Sequence, residues 1–194
     1  MENFLHRLKT FFDPFIKTSM SEWGVLEKSF TVEQFKNRTT VKAAGEREHF
    51  LRFILEGAAA VQAKQGSRDI CIDLCFENDF LTDFESLNGG HPTDIYIRTF
   101  EPIRALLINR VNLFRIYNTS VLGAQLQRVL AEQQNQRSQK NNIAYLGRTT
   151  EERYRKLLQD RPDLLLRTPQ HYIASYLGVS TENLSRVRKR IGNK

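Results

Sequence analysis

A chain of 194 residues, 40% hydrophobic and 26% charged, has the length of one to two domains and the make-up of a soluble globular protein with a real core. It holds no apolar run near the roughly eighteen residues that cross a bilayer, and its first residues, MENFLHRLKTFFDPFI, lack the small-residue cleavage site of a signal peptide, so the expected location is the cytoplasm. The net charge of +7 is uneven: residues 1–147 carry 18 Lys and Arg against 17 Asp and Glu, residues 148–194 carry 11 against 5, which makes the C-terminal quarter either a solvated basic tail or a phosphate-binding surface.

The chain opens on a helical pattern over residues 2–28, where Phe4, Leu5, Leu8, Phe11, Phe12, Phe15 and Ile16 recur at spacings of three and four. Between residues 30 and 110 the period changes. FTVEQF, HFLRFILEG, AAAVQAKQG, RDICIDLCF, TDIYIRTF and RALLIN are short, rich in β-branched and aromatic residues, and separated by turn signals at Gly45, Gly57, Gly66 and Asn88-Gly89-Gly90. Many short strands joined in this way imply a sandwich or barrel. In RDICIDLCF the residues Ile70, Ile72, Leu74 and Phe76 alternate with Cys71, Asp73 and Cys75, the period of a strand with one buried face. That alternation puts the two cysteines on one face about 13 Å apart, too far for a disulfide. Two cysteines are also too few for a disulfide framework and suit a reducing compartment. His6, His49, His91 and His171 are scattered and form no ligand pair, which argues against a metal or haem site.

Helix returns near Val111. A short piece, RVNLFRIY, leads to a long helix from about Ser120 to Tyr145. Its apolar stripe is thin, so it needs a partner. A seam of Leu126, Val129, Gln133, Gln136, Lys140 and Ile143 reads as a dimer interface with a polar middle; the alternative is a solvated connector.

The last fifty residues carry the strongest pattern. Thr149 and Glu152 form a capping box that opens a helix through Leu157 and Leu158, ending at Pro162. Thr168-Pro169 opens a second helix, with Thr as cap and Pro at its first position, which runs through Ile173, Ala174 and Leu177 to Gly178. Ser180 caps a third, with Val179 and Leu184 placed as a hydrophobic staple and Leu184, Val187 and Ile191 as its buried stripe. Glu182, Ser185, Arg186 and Lys189 fall on the opposite face. A small residue at the crossing, a turn glycine and apolar anchors on the second helix are what a helix-turn-helix requires; a purely structural hairpin is the other reading.

TPQHYIASYLGVSTENLSRVRKRI resembles the helix-turn-helix of the CRP/FNR regulators, and EERYRKLLQDRPDLL resembles the helix before it. The order of the whole chain also resembles that family. The implied fold is α+β: a β-roll sensor of the cyclic-nucleotide-binding, double-stranded β-helix type with N-terminal helices over 1–118, a dimerisation helix over 119–146, and a helix-turn-helix domain over 147–194. The resemblance implies a homodimer on double-stranded DNA, with RNA polymerase contact and promoter geometry deciding activation or repression. Glu182-Asn183-Leu184-Ser185-Arg186 matches the start of the family's recognition helix, so Glu182, Ser185 and Arg186 are implied to meet base edges. Gln170, His171, Thr181 and Lys189 are implied to meet phosphates.

The sensor departs from the family. Where a cyclic-nucleotide site carries Gly-Glu-Leu and Arg-Ser, this chain carries Thr82-Asp83-Phe84 and Thr93-Asp94. An effector pocket at Thr82, Asp83, Thr93 and Asp94 lacks the arginine that clamps a cyclic phosphate, which argues against cAMP and leaves any small-molecule effector unknown. Two cysteines exclude the four-cysteine iron–sulfur cluster of the fumarate–nitrate branch. Two other classes stand beside the regulator: a degenerate interaction protein that has lost specific DNA binding, and a cupin-type β-roll enzyme, which the absence of His-x-His counts against.

Overall fold

The period-two segments fold as strands in a computed structural model, which describes residues 2–66 and 68–192. They are β1 (Phe30–Phe35), β2 (Thr40–Lys42), β3 (Phe50–Glu56), β4 (Ala59–Gln65), β5 (Arg68–Cys75), β6 (Phe80–Leu81), β7 (Ile95–Thr99) and β8 (Ile103–Asn109). They form two antiparallel four-stranded sheets, ordered β1-β8-β3-β6 and β2-β7-β4-β5. Ile54, Ala59, Val61, Cys75, Leu81, Ile97, Ala105 and Leu107 come from both sheets and fill the space between them. This is the two-sheet arrangement that the strand spacing predicts and the β-roll that the family resemblance implies. The two-residue β6, the three-residue β2 and the short helix α3 (Phe84–Gly89) are too brief to leave a periodic signal.

RALLIN is almost continuously apolar because β8 is buried on both faces. Ala105 and Leu107 point between the sheets, while Leu106 and Ile108 pack outward against helices. Those helices are α1 (Glu2–Phe12), α2 (Met20–Gly24), α4 (Arg110–Thr119) and the first half of α5 (Val121–Gly147). The N-terminal helix predicted over residues 2–28 is therefore divided. Pro14 follows the end of α1, and α2 starts afresh at a Ser19–Glu22 capping box. Between α4 and α5, Ser120 is extended (φ −141°, ψ 148°) and its hydroxyl accepts from Gly123 N at 2.9 Å. Gly123 is required by the crossing itself: a Cβ there would stand 1.9 Å from the Ile116 carbonyl oxygen.

β5 corrects two expectations. Val61 pairs with Asp73 but Gln62 pairs with Cys71, so Ile72 is an extra residue in the strand, a bulge. One extra residue swaps the faces on either side of it. Cys71 and Cys75 consequently do not share a face: Cys75 lies between the sheets, whereas Cys71 joins Leu74 and Phe76 on the outer surface of the β4–β5 sheet. Ile72, expected in the buried set, is 41% exposed. Burial pushes both thiols up, so both stay protonated.

The long helix is found almost as predicted, but its seam is not. Leu126 and Val129 are buried in their own chain against Trp23, Leu26 and Leu113, and Val129 is 0% exposed. They cannot face a symmetry mate. A spacing of three and four marks an apolar stripe without saying whose surface it covers, and here the roll and α1–α2 take it. Gln133 is half-buried on the same side, and Gln136, Lys140 and Ile143 are exposed. Farther along, Arg137 fixes the helix to the roll, donating to Asp73 at 2.7 Å, Asp79 at 3.1 Å and the Leu74 carbonyl at 3.1 Å.

The C-terminal segment folds as α6 (Thr150–Asp160), α7 (Pro162–Arg167), α8 (Gln170–Tyr176) and α9 (Thr181–Gly192). Pro162 does end α6, and it also starts α7 as an N1 proline. This helical unit docks on the outer face of the β4–β5 sheet. Leu164 and Tyr172 cover Ala58, Ala60, Cys71, Leu74 and Phe100. Ser175 Oγ accepts from Cys71 N at 2.8 Å and donates to the Asp69 carbonyl at 3.3 Å. Arg167 closes the contact. It makes two 2.8 Å bonds to Glu77, a 3.0 Å bond to Glu101, and lies 5.1 Å over the Phe76 ring.

These bonds from Arg167 hold the Glu77 carboxyl at about 2. A carboxylate depressed below its unfolded value of about 4.3 adds stability above that pH and loses it as pH falls toward 2. Acid unfolding between about pH 4.3 and 2 should therefore be shallower in Arg167→Met than in the unmodified chain. Equal acid limbs by circular dichroism would show that the clamp contributes nothing.

Candidate nucleic-acid interface

The helical unit is assembled by its caps. Thr149 and Glu152 satisfy each other's backbone N–H groups at the start of α6. At the end of α8, Val179 N donates to the Ala174 carbonyl and Gly178 N to the Ser175 carbonyl, both at 2.9 Å, with Gly178 at φ 67°. That is a Schellman turn, and it sets the angle at which α9 leaves. Ser180 Oγ accepts from Asn183 N at 3.2 Å, and Val179 packs with Leu184 in the expected staple. One cap differs from the sequence reading. Pro169, not Thr168, holds the N-cap position of α8, and the buried Thr168 hydroxyl has no hydrogen-bond partner among the described residues.

Tyr154, Ile173, Ala174, Leu177, Leu184 and Val187 form the unit's own core. Burial of Leu184 and Val187 fixes the rotation of α9 and turns Glu182, Arg186, Lys189 and Arg190 outward, with Ser185 half-buried beside them. Glu182 and Arg186 make no ion pair, so the i,i+4 surface bridge is not formed; Glu182 is held ionised by its own backbone N–H and by the Ser180 and Thr181 hydroxyls. Gln170 and His171 are exposed at the start of α8, and Thr181 is half-buried at the start of α9. The structure thus brings Glu182, Ser185, Arg186 and Lys189 onto one exposed face. The sequence reading missed Arg190, although its place one residue after Lys189 gives the same charge at the helix end. Arg188 is different: it lies 5.6 Å over the Tyr154 ring and is half-buried.

In the roll, two of the predicted pocket residues, Asp83 and Thr93, hold a cation that the sequence did not reveal. Lys42 Nζ donates to Asp83 at 2.8 Å, Thr93 Oγ1 at 2.9 Å and the Ile95 carbonyl at 2.6 Å, using all three of its protons. Thr93 also donates to Asp83, whose other oxygen accepts from Ser86 N at the start of α3. Thr82 is tied to the Phe50 carbonyl at 2.9 Å, and Asp94 is exposed outside the cluster. Alongside, Arg52 and Glu48 form a second buried pair at 2.9 and 3.1 Å. The Lys42 and Thr93 bonds and the Ser86 N–H keep the Asp83 carboxyl below its ordinary value, against the opposing effect of burial. The acid is compensated from within, and no free cation remains at Asp83 for an anionic phosphate. A cyclic-phosphate ligand therefore does not fit these residues.

No protein-family model matches the chain, and no curated protein sequence matches it either. Solved structures do. FixK2 from Bradyrhizobium japonicum superposes with a TM-score of 0.75 at 14% identity, covering 84% of this chain and 85% of that one. This chain has the fold of the CRP/FNR regulators. The c-di-GMP-responsive global regulator CLP of Xanthomonas campestris gives a TM-score of 0.65 at 17% identity, over 90% of this chain and 92% of its own. A transcriptional regulator of the crp/fnr family from Eubacterium rectale gives 0.69 at 12% identity, over 90% and 84%. The CRP/FNR fold accounts for the order of roll, long helix and helical unit, and it places α8 and α9 as the two crossing helices.

The buried pair within this CRP/FNR roll gives a stability test. Lys42→Met keeps the volume but leaves Asp83 charged and unpaired, a change expected to cost about 3–5 kcal/mol. Urea unfolding measures it, and a cost below about 1 kcal/mol would mean that Asp83 reaches solvent.

Proposed function

We propose that the chain is a sequence-specific DNA-binding transcription regulator that acts as a homodimer, with α9 as its reading helix. The observation that carries this is the outward face of α9: an ionised Glu182, Ser185, an unbridged Arg186 and Lys189 on one side, with the other side locked by Leu184 and Val187. Arg186 has the fork to hold guanine O6 and N7, and Glu182 accepts from a cytosine amino group. Gln170, His171, Thr181 and Lys189 are suited to phosphate, which positions the helix without reading sequence. The roll over 1–118, the helix over 119–146 and the reading unit over 147–194 divide the work. The internally neutralised Lys42–Asp83 cluster argues that cAMP is not the effector. No enzymatic role is needed to explain any of these groups.

The dimer seam belongs on the side of α5 that the roll leaves open. Val121, Ala124, Arg128, Ala131, Asn135 and Ser138 are all exposed and alternate at spacings of three and four. Ala124, Ala131 and Ser138 are small enough for close approach of two helices, and Asn135 supplies the polar position that fixes register. Ala131→Asp should convert a dimer at tens of micromolar to a monomer, whereas Ile143→Asp, on the adjoining face, should not. Light scattering decides, and a monomeric unmodified chain would remove the dimer from the proposal.

Randomised-site selection with the unmodified chain and two variants tests DNA reading. The expected product is a palindrome with half-sites close to TTGAT or TGTGA, centred about one helical turn apart. Arg186→Ala should cost about 1–3 kcal/mol per half-site and relax one base pair. Lys189→Ala should weaken all sequences about equally and lower the salt dependence. An unenriched pool would favour the degenerate interaction protein instead.

A further inference from the structure

Between the outer surface of β5, the second half of α5 and the α6–α8 side of the helical unit lies a cleft of about 790 Å³. Small-molecule sites occupy roughly 300–1,000 Å³. Six cations line it, Arg137, Lys140, Arg148, Arg153, Lys156 and Arg161, against one acidic lining residue, Asp160. They come from α5, the turn after it, α6 and the residue that follows α6, so folding gathers them from separate turns around one opening. Converging like charges between low-dielectric walls raise the local potential for an anion.

Several of these cations already have work within the chain. Arg137 is held by Asp73 and Asp79, Lys156 pairs with Asp160 at 2.9 Å, and Arg161 faces Asp79 at 4.0 Å. Arg153 donates to Thr150 Oγ1 at 3.5 Å. Lys140 and Arg148 are exposed and make no salt bridge among the described residues, Arg148 acting only at longer range on the Glu152 carboxylate. The rest of the wall has a different chemistry. Ile72 stands out at the bulge of β5, and Ile143 is 66% exposed across from the strand. Asn142 offers an exposed amide next to them, while Asn141 accepts from the Tyr176 hydroxyl at 3.3 Å. Apolar surface, an exposed amide and two exposed cations outside salt bridges in one cleft suit a ligand that is planar at one end and multiply anionic at the other.

We propose that this cleft binds a phosphorylated nucleotide, with its phosphates against Lys140 and Arg148 and its base over Ile72 and Ile143 beside the Asn142 amide. The site is separate from the Lys42–Asp83 cluster and does not rest on DNA reading by α9. Because its walls belong to the roll, α5 and the helical unit, a ligand here also strengthens the docking of that unit on the roll.

Calorimetric titration of the full chain with ATP and GTP, in metal-free buffer near physiological salt, tests the site. Inorganic triphosphate, cAMP and adenosine serve as comparators. At least one of the two nucleotides should bind, one per chain, more tightly than inorganic triphosphate, with cAMP and adenosine giving no heat. Lys140→Ala/Arg148→Ala, both at exposed positions, should keep the melting temperature of the unmodified chain and bind that nucleotide about tenfold more weakly or worse. The proposal is overturned if neither nucleotide binds at millimolar concentration. It is equally overturned if inorganic triphosphate binds as tightly, which would make the cleft an unselective anion patch, or if the double variant binds as the unmodified chain does. A double variant that loses DNA affinity while keeping nucleotide affinity would assign the two cations to the DNA backbone.

Discussion

Everything in this molecule depends on the fact that its roll is apolar outside as well as inside. A two-sheet sandwich needs only its inner faces to be hydrophobic. Here Leu51, Phe53, Leu106 and Ile108 make the outside of one sheet apolar, and Ala58, Ala60, Cys71 and Leu74 do the same for the other. Both surfaces must be covered, and the chain covers them with its two helical ends. The N-terminal helices and the start of α5 take the first, α7 and α8 the second. Helix α9 is thereby carried on the roll, because the helices beneath it are part of the roll's own packing. Arg167 and Ser175 add direction to that contact, since hydrogen bonds of 2.8 Å to Glu77 and Cys71 N allow little sliding.

Local chemistry was legible in the sequence wherever a signal was complete within a few residues. The Thr149–Glu152 box, the Gly178 turn and the Ser180 cap each need only four or five neighbours, and each is formed. The six longer strands announced themselves by composition. What failed was anything that depends on a partner far along the chain. The stripe of Leu126 and Val129 was correctly read as buried, but its partner is the roll, not a second copy. The bulge at Ile72 was invisible because it exists only in the pairing with Val61 and Gln62. Thr168 shows the opposite error: a good local cap whose hydroxyl is turned into the interior.

The sites divide in the same way. The outward face of α9 follows from its periodicity alone, which groups Glu182, Ser185, Arg186 and Lys189. Thr82, Asp83, Thr93 and Asp94 were placed through resemblance, and of these Asp83 and Thr93 meet. Their partner Lys42 lies 41 residues before Asp83, in a three-residue strand with no pattern of its own. The cations of the inter-domain cleft were equally hidden, since they come from several turns and share only a destination.

Ser175 has one more consequence, which concerns the margin of the β4–β5 sheet. β5 is an edge strand, and edge strands carry unpaired backbone groups that invite pairing with other chains. At Cys71 that amide is taken by a serine side chain, and the helix bearing it lies across the strand. The C-terminal helical unit is therefore also a guard. A fragment ending after α5 would bare this margin together with Cys71 and Leu74, and it would join sheets with its neighbours instead of remaining dispersed. Deleting the C-terminal helices of this chain removes the α9 face and a safeguard against self-association in one cut.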